Sequence, residues 1–255
     1  MKPLEIKHRV IGGGEPLICV PVVEQDAQSV IREITYLSQS TADMIEWRVD
    51  AFRDFTDYNA IRSVFEAVAP LLGEKLFLYT FRTAHQGGMA QVKAEQLDDL
   101  HDLAAESGCV DLVDLEFFEE DRTLHKIKRL REMGVSVIAS HHDFEQTPSP
   151  EVMKMLLEKM CAGGADIVKL AVMPQNYKDV LNLLDVTAQF REENPDTPVI
   201  TMSMGSLGGI SRISGETFGS CVTFGAHEKP SAPGQFAMKE LRQMLDTIHA
   251  SSQIQ

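Results

Sequence analysis

The sequence predicts a (β/α)8 barrel, and three observations lead there. Short apolar runs recur eight times along the 255 residues. Helical patterns fill the intervals between them. No linker-like shift in composition divides the chain, so residues 1–255 read as a single domain. Alternating strand and helix implies a parallel sheet, and eight such units at this length match a closed barrel. An open doubly wound sheet is the competing arrangement, but no GxGxxG follows the first strand and no P-loop motif occurs.

The eight runs are PLICVPVV (16–23), MIEWRVDAF (44–52), KLFLYTFRT (75–83), VDLVDLEFF (110–118), VSVIASHHDF (135–144), DIVKLAVMP (166–174), PVITMSMG (198–205) and SCVTFGAH (220–227). They are short, rich in Val, Ile and Phe, and bounded by turn residues, as strands are. Ser149 and Pro150 supply an N-cap and a first-turn proline before VMKMLLEKM. VKAEQLDDLHDLAAES has apolar residues at helical spacing and stops at Gly108; HKIKRLREMG stops at Gly134. Segments 56–72, 176–192 and 235–250 are further helix candidates. Gly12-Gly13-Gly14 precedes the first barrel strand and reads as a turn, which makes LEIKHRV an N-terminal β-hairpin closing the bottom of the barrel.

Composition narrows the partners. With 44% hydrophobic and 24% charged residues the chain is ordinary globular protein. A net charge of −14 argues against nucleic acid and anionic membrane. An acidic small molecule requires basic residues gathered locally. The N-terminus lacks the apolar core of a signal peptide, and no run approaches the roughly 20 apolar residues of a membrane span. Cys19, Cys109, Cys161 and Cys221 are scattered without a CxxC pair. They read as reduced, mostly buried thiols of a cytoplasmic protein.

Barrel chemistry gathers at the C-terminal ends of the strands, and side chains at i and i+2 share a face. Glu46 and Arg48 share one face of the second strand. Arg82 ends the third. Asp114 and Glu116 share a face of the fourth. Ser140, His142 and Phe144 alternate with His141 and Asp143 on the fifth. Lys169 lies in the middle of the sixth, Met202 and Met204 share a face of the seventh, and HEKPSAPGQ follows the eighth. Each also has a purely structural reading: an ion pair for Glu46 and Arg48, a solvated or paired Arg82, loop caps for Asp114 and Glu116, core filling for the methionines. Lys169 resists that reading, because a mid-strand lysine cannot easily carry its ammonium out to water. Acid, base and amine groups at corresponding ends of successive strands are harder to dismiss together than singly.

That set suits imine chemistry. Desolvation and nearby positive charge favour a neutral lysine, which attacks a carbonyl to form a Schiff base. The protonated imine then acidifies the neighbouring carbon. A histidine with a pKa near 7 suits the proton transfer, Asp114 is placed to hold that histidine's tautomer, and arginines at neighbouring strand ends hold a carboxylate. The reading is an imine-forming lyase or aldolase acting on an acidic oxo compound, with no cofactor and no metal-ligand cluster.

At this point the chain resembles type I 3-dehydroquinate dehydratases of the shikimate pathway, which leads to aromatic amino acids. The matching stretches are EWRVD (46–50), TFRTAHQGG (80–88), SHHDF with TPS (140–149), VKLAVMPQ (168–175), ITMSMGSLGGISR (200–212), and FGS, TFG and SAPGQ (218–235), in order over nearly the whole chain. The resemblance implies a homodimeric TIM barrel and syn elimination of water from 3-dehydroquinate to 3-dehydroshikimate through a lysine imine. It implies that Lys169 is the Schiff-base lysine and His142 the proton-transferring histidine, which also assists imine formation and hydrolysis. Glu46, Arg48 and Arg82 then line the substrate's hydroxyl side, Arg212 pairs with its carboxylate, Ser231 and Gln235 belong to a closing loop, and Asp114 orients the histidine. Met202 and Met204 support the pocket.

One segment departs. Where the family usually reads Lys-Glu-Gly-Gly-Glu, this chain reads His85-Gln86-Gly87-Gly88-Met89. The resemblance implies that the family's glutamate assists the histidine. Gln86 keeps its size but not its charge, and loss of that charge favours neutral imidazole. Two alternatives follow: a pocket-retaining ligand-binding homologue with reduced turnover because of Gln86, or a class I aldolase on the same barrel.

Overall fold

The computed structural model describes residues 4–119 and 123–252. Strands β1 (Leu4–Ile6) and β2 (Arg9–Ile11) pair antiparallel. They form the expected hairpin, turning through Lys7 and His8, both in the left-handed region. Eight parallel strands follow: β3 (Leu17–Val22), β4 (Met44–Arg48), β5 (Leu76–Thr80), β6 (Leu112–Glu116), β7 (Ser136–Asp143), β8 (Ile167–Val172), β9 (Val199–Ser203) and β10 (Val222–Phe224). Neighbours run in chain order from β3 to β9, with β10 beside β3. A parallel bridge between Val199 and Ser220, and the Cys221 N–H donating to Val199 O at 2.8 Å, bring the two ends of the sheet together. All eight apolar runs are therefore barrel strands.

The intervening helices are α1 (Ala27–Ser38), α2 (Tyr58–Val68), α3 (Ala94–Glu106), α4 (Thr123–Glu132), α5 (Pro150–Ala162), α6 (Tyr177–Glu193), α7 (Gly215–Phe218) and α8 (Met238–Ser252). The local signals act as expected. Ser149 accepts from Val152 N at the start of α5, and Gly108 and Gly134 adopt left-handed φ just past α3 and α4. No single expectation covered α1. Asp26 caps it, and Val30, Ile34 and Leu37 form its buried stripe. Among the described residues no helix is long and apolar enough to cross a membrane.

Period-two alternation divides two cores. Ile18, Val20, Ile45, Trp47, Phe77 and Tyr79 point outward against the helices. Cys19, Met44, Leu76, Leu78, Ile138 and Ile167 point into the barrel, and Leu4, Ile6 and Ile11 of the hairpin pack beneath them. The hairpin thus plugs the N-terminal end, as expected. On β8, Val168, Leu170 and Val172 pack outward, which turns Lys169 inward with Ile167 and Ala171. The same parity turns Glu46 and Arg48 inward while Ile45 and Trp47 fill the outer core.

Candidate active site

A cleft of about 470 Å³ opens at the C-terminal ends of the strands. Among its walls are Glu46, Arg48, Arg82, Gln86, His142, Lys169, Met202, Met204, Ser231 and Gln235. Ten of the twelve expected residues therefore meet in one place. Asp114 and Arg212 stand behind the wall.

Asp114 is the hub of the buried charges. Its Oδ2 accepts from Lys169 Nζ at 2.9 Å; its Oδ1 accepts from Arg82 Nη2 at 2.7 Å and from the Ser140 hydroxyl at 2.5 Å. Burial by itself would raise its pKa, but Arg82 and Lys169 outweigh burial and hold it well below the carboxylate range. The expectation that Asp114 orients the histidine is corrected here. Its oxygens are taken by Lys169, Arg82 and Ser140, and the contact to His142 Nδ1 comes from Gln86. Lys169 has Asp114 on one side and the Phe224 ring on the other, with Nζ 4.5 Å from the ring centroid. The direct partner of Lys169 is thus an anion.

The arginines divide. Arg48 forks onto Asp50, with Nε–Oδ1 and Nη2–Oδ2 both 2.8 Å. Asp50 also accepts from the backbone N–H groups of Arg82 and Met89, so it fastens Arg48 to the loop carrying Gln86. Arg82 donates through Nη1 to Glu116 Oε1 at 2.9 Å and to Ser140 Oγ at 3.1 Å. Burial disfavours its charge, but Asp114 and Glu116 more than compensate and raise its pKa. These two forks are occupied by protein carboxylates, so neither is free to take a ligand carboxylate bidentately.

Arg212 differs. It is 2% exposed, its Nη2 donates to Pro233 O at 2.9 Å, and its Nε and Nη1 are buried without a partner among the described residues. Burial pulls its pKa down to about 10. It is held by β10, where Thr223 Oγ1 donates to Arg212 O, and it lies behind the loop that bears Ser231 and Gln235. That loop is folded on itself: Ser231 N donates to Gln235 Oε1 at 2.8 Å, and Gln235 Nε2 to Ser231 Oγ at 3.0 Å. At the bend Gly234 has φ +78°, and a Cβ there would fall 2.3 Å from Gly205 O.

His142 faces the cleft, whereas the ring of His141 packs edge-on against Phe118. His142 Nδ1 lies 3.1 Å from Gln86 Oε1, and its ring stacks near Phe144. Burial first, then the charges of Arg82 and Lys169, hold its pKa well below 6.5, against the opposing pull of Asp114. The expected pKa near 7 is therefore corrected downward, and the resting imidazole is neutral. Glu46 is buried and accepts from Thr80 Oγ1 at 2.8 Å. Met202 and Met204 serve both readings, since they belong to the interior core and also line the cleft.

Sequence reasoning placed Phe144 on the His142 face and missed Asp50, Phe224 and Glu119. Asp50 stands two residues after Arg48, a spacing that signals an ion pair. Phe224 looks like an ordinary strand-end apolar residue, and nothing in the sequence links Glu119 to Gln86.

A family model described as type I 3-dehydroquinase matches residues 18–252. The 3-dehydroquinate dehydratase of Syntrophotalea carbinolica is 41% identical over 250 residues, covering 98% of this chain and 99% of that protein. That of Listeria monocytogenes serotype 4a is 42% identical with the same coverage. Among solved structures, type I 3-dehydroquinate dehydratase from Clostridium difficile with covalently modified comenic acid superposes with a TM-score of 0.94 at 38% identity, covering 98% of this chain and 99% of that one. With a family match spanning nearly all of the barrel and relatives this similar end to end, the chain belongs to the type I 3-dehydroquinase family of hydro-lyases.

Proposed function

We propose that this chain, a single barrel domain, eliminates water from 3-dehydroquinate to give 3-dehydroshikimate, with Lys169 as the imine-forming amine and His142 as the general acid–base. The observation that carries the reading is a buried amine in the cleft wall beside a neutral imidazole on the adjacent strand. Lys169 hands a proton to His142 and attacks the substrate ketone. The carbinolamine loses water and becomes a protonated imine, which draws electrons from the next carbon. His142 removes the proton from that carbon, and the same group protonates the departing hydroxyl, as a syn elimination requires. Water then hydrolyses the imine and frees Lys169.

Asp114 keeps Nζ in place and, staying ionised, offsets the cationic imine. Glu46, Arg48 and Arg82 face the substrate hydroxyls. Arg212 pairs with the substrate carboxylate; its unpartnered Nε and Nη1 support that role. Ser231 and Gln235 then close over the ligand. A homodimer in the cytoplasm is part of this reading; the family resemblance supports the dimer, and the scattered cysteines without a CxxC pair support the cytoplasm.

Incubation with 3-dehydroquinate and borohydride tests it. The expected result is an irreversible mass adduct on Lys169, absent in Lys169→Ala together with turnover. Normal turnover by Lys169→Ala overturns the imine role, and an unmodified protein giving neither adduct nor product overturns the function. Tight product binding without dehydration would instead favour a pocket-retaining binding protein.

A further inference from the structure

We propose that Glu119 is a positioning residue for His142, acting through the side-chain amide of Gln86. The inference rests on the reading of His142 as the proton-transferring group. Gln86 is 2% exposed and stands between the two. Its Nε2 donates to Glu119 Oε1 at 2.8 Å, and its Oε1 accepts the backbone N–H of His142 at 2.8 Å.

Both ends fix which way the amide points. A backbone N–H only donates, so the atom facing it is the carbonyl oxygen. A carboxylate only accepts, so the atom facing Glu119 is the NH2 group. The same carbonyl oxygen lies 3.1 Å from His142 Nδ1. It has no proton to give, so Nδ1 carries the hydrogen and Nε2 keeps the lone pair. An amide turned the other way would set its NH2 against a backbone N–H and point its oxygen at a carboxylate. Glu119 opposes that flip from outside the cleft.

Glu119 is itself exposed, at the end of the β6 turn, so its replacement leaves the packed barrel intact. The neutral Gln86 is the reason it is needed. A carboxylate at position 86 has two equivalent oxygens and no orientation to fix, and it would be repelled by Glu119.

The test reads the tautomer directly. In ligand-free protein labelled with 15N-histidine, His142 should show the single Nδ1–H form at neutral pH, its signal assigned by its loss in His142→Asn. Glu119→Leu should give a mixed tautomer signal and lower kcat about fivefold with KM little changed, the size expected for one charge-assisted hydrogen bond to a partly exposed acceptor. Glu119→Gln, which can still accept, should recover most of that loss. In a Gln86→Glu background, Glu119→Leu should cost nothing or raise activity, because it removes repulsion between carboxylates. A single Nδ1–H signal that persists in Glu119→Leu overturns the proposal, as does an equal loss of kcat in both backgrounds. The tautomer measurement needs no turnover, so an inactive protein sinks the dehydratase reading without deciding this one.

Discussion

Replacing Arg212 with methionine should stabilise the ligand-free protein while crippling its use of an acidic substrate. The side chain is 2% exposed, and burial pulls its pKa from 12.5 to about 10 with no opposing cause. At about 1.4 kcal/mol per tenfold, keeping that guanidinium charged costs about 3 kcal/mol. The substitution also removes the Nη2 hydrogen bond to Pro233 O, worth about 1 kcal/mol. The net gain is about 2 kcal/mol, which for a chain of this length raises Tm by about 4–8 °C. Methionine is slimmer than arginine but fills irregular space well. Against this, each charge-assisted hydrogen bond to a substrate carboxylate is worth about 1.5–3 kcal/mol, so two lost bonds lower kcat/KM by about 10²–10⁴-fold. Calorimetry without ligand and steady-state kinetics on the same preparation measure both sides. A lower Tm in the ligand-free variant refutes the reasoning, since it would mean that Arg212 already has a partner there.

Further outcomes follow from the same structure. Binding of an acidic substrate needs the Arg212 cation, so KM should rise as pH climbs through about 10, and a flat KM there would break the link to Arg212. The His142 pKa is depressed, so the imidazole is already neutral at pH 6.5, and the acid limb of kcat/KM belongs below that value; a limb above pH 7 contradicts the burial argument. A Cβ on Gly88 would lie 1.8 Å from Arg82 O. Gly88→Ala should therefore displace the Gln86 loop and lower kcat at least tenfold with a Tm change of only a few degrees; full activity would show that the loop can give way. His101 is buried with both ring nitrogens unpartnered among the described residues, and burial lowers its pKa to about 4. The unfolded chain takes up this proton below about pH 6.5 and the folded one does not, so folding stability should drop by about 3 kcal/mol as pH falls from 6.5 through 4. Urea unfolding of His101→Leu should show a shallower acid slope.

Much of this molecule is legible in its sequence because the governing signals are local. Strand parity, capping serine, terminal glycines and the eightfold recurrence depend on neighbours within a turn or a strand, so they fix the barrel and turn Lys169, Glu46 and Arg48 inward before any long-range contact is known. Helix α1 escaped separate notice because its apolar stripe is short and bordered by polar residues. Partner choice among the buried charges is another matter. Asp114 sits 55 residues from Lys169 and 32 from Arg82, and no spacing rule says that its oxygens go to them and not to His142. Arg48, Arg82 and Arg212 look alike as residue types. Only the fold assigns carboxylates to the first two and leaves the third with unpaired donors. The resting charge of His142 is likewise a tertiary property, since burial and the charges of Arg82, Lys169 and Arg48 depress its pKa. At Gln86 the sequence shows the loss of a charge; the structure adds Glu119, which meets it across 33 residues. Local periodicity specifies which face a side chain occupies. Which of several like groups it meets there depends on the closed geometry of the barrel and on the cost of leaving a buried charge unpaired.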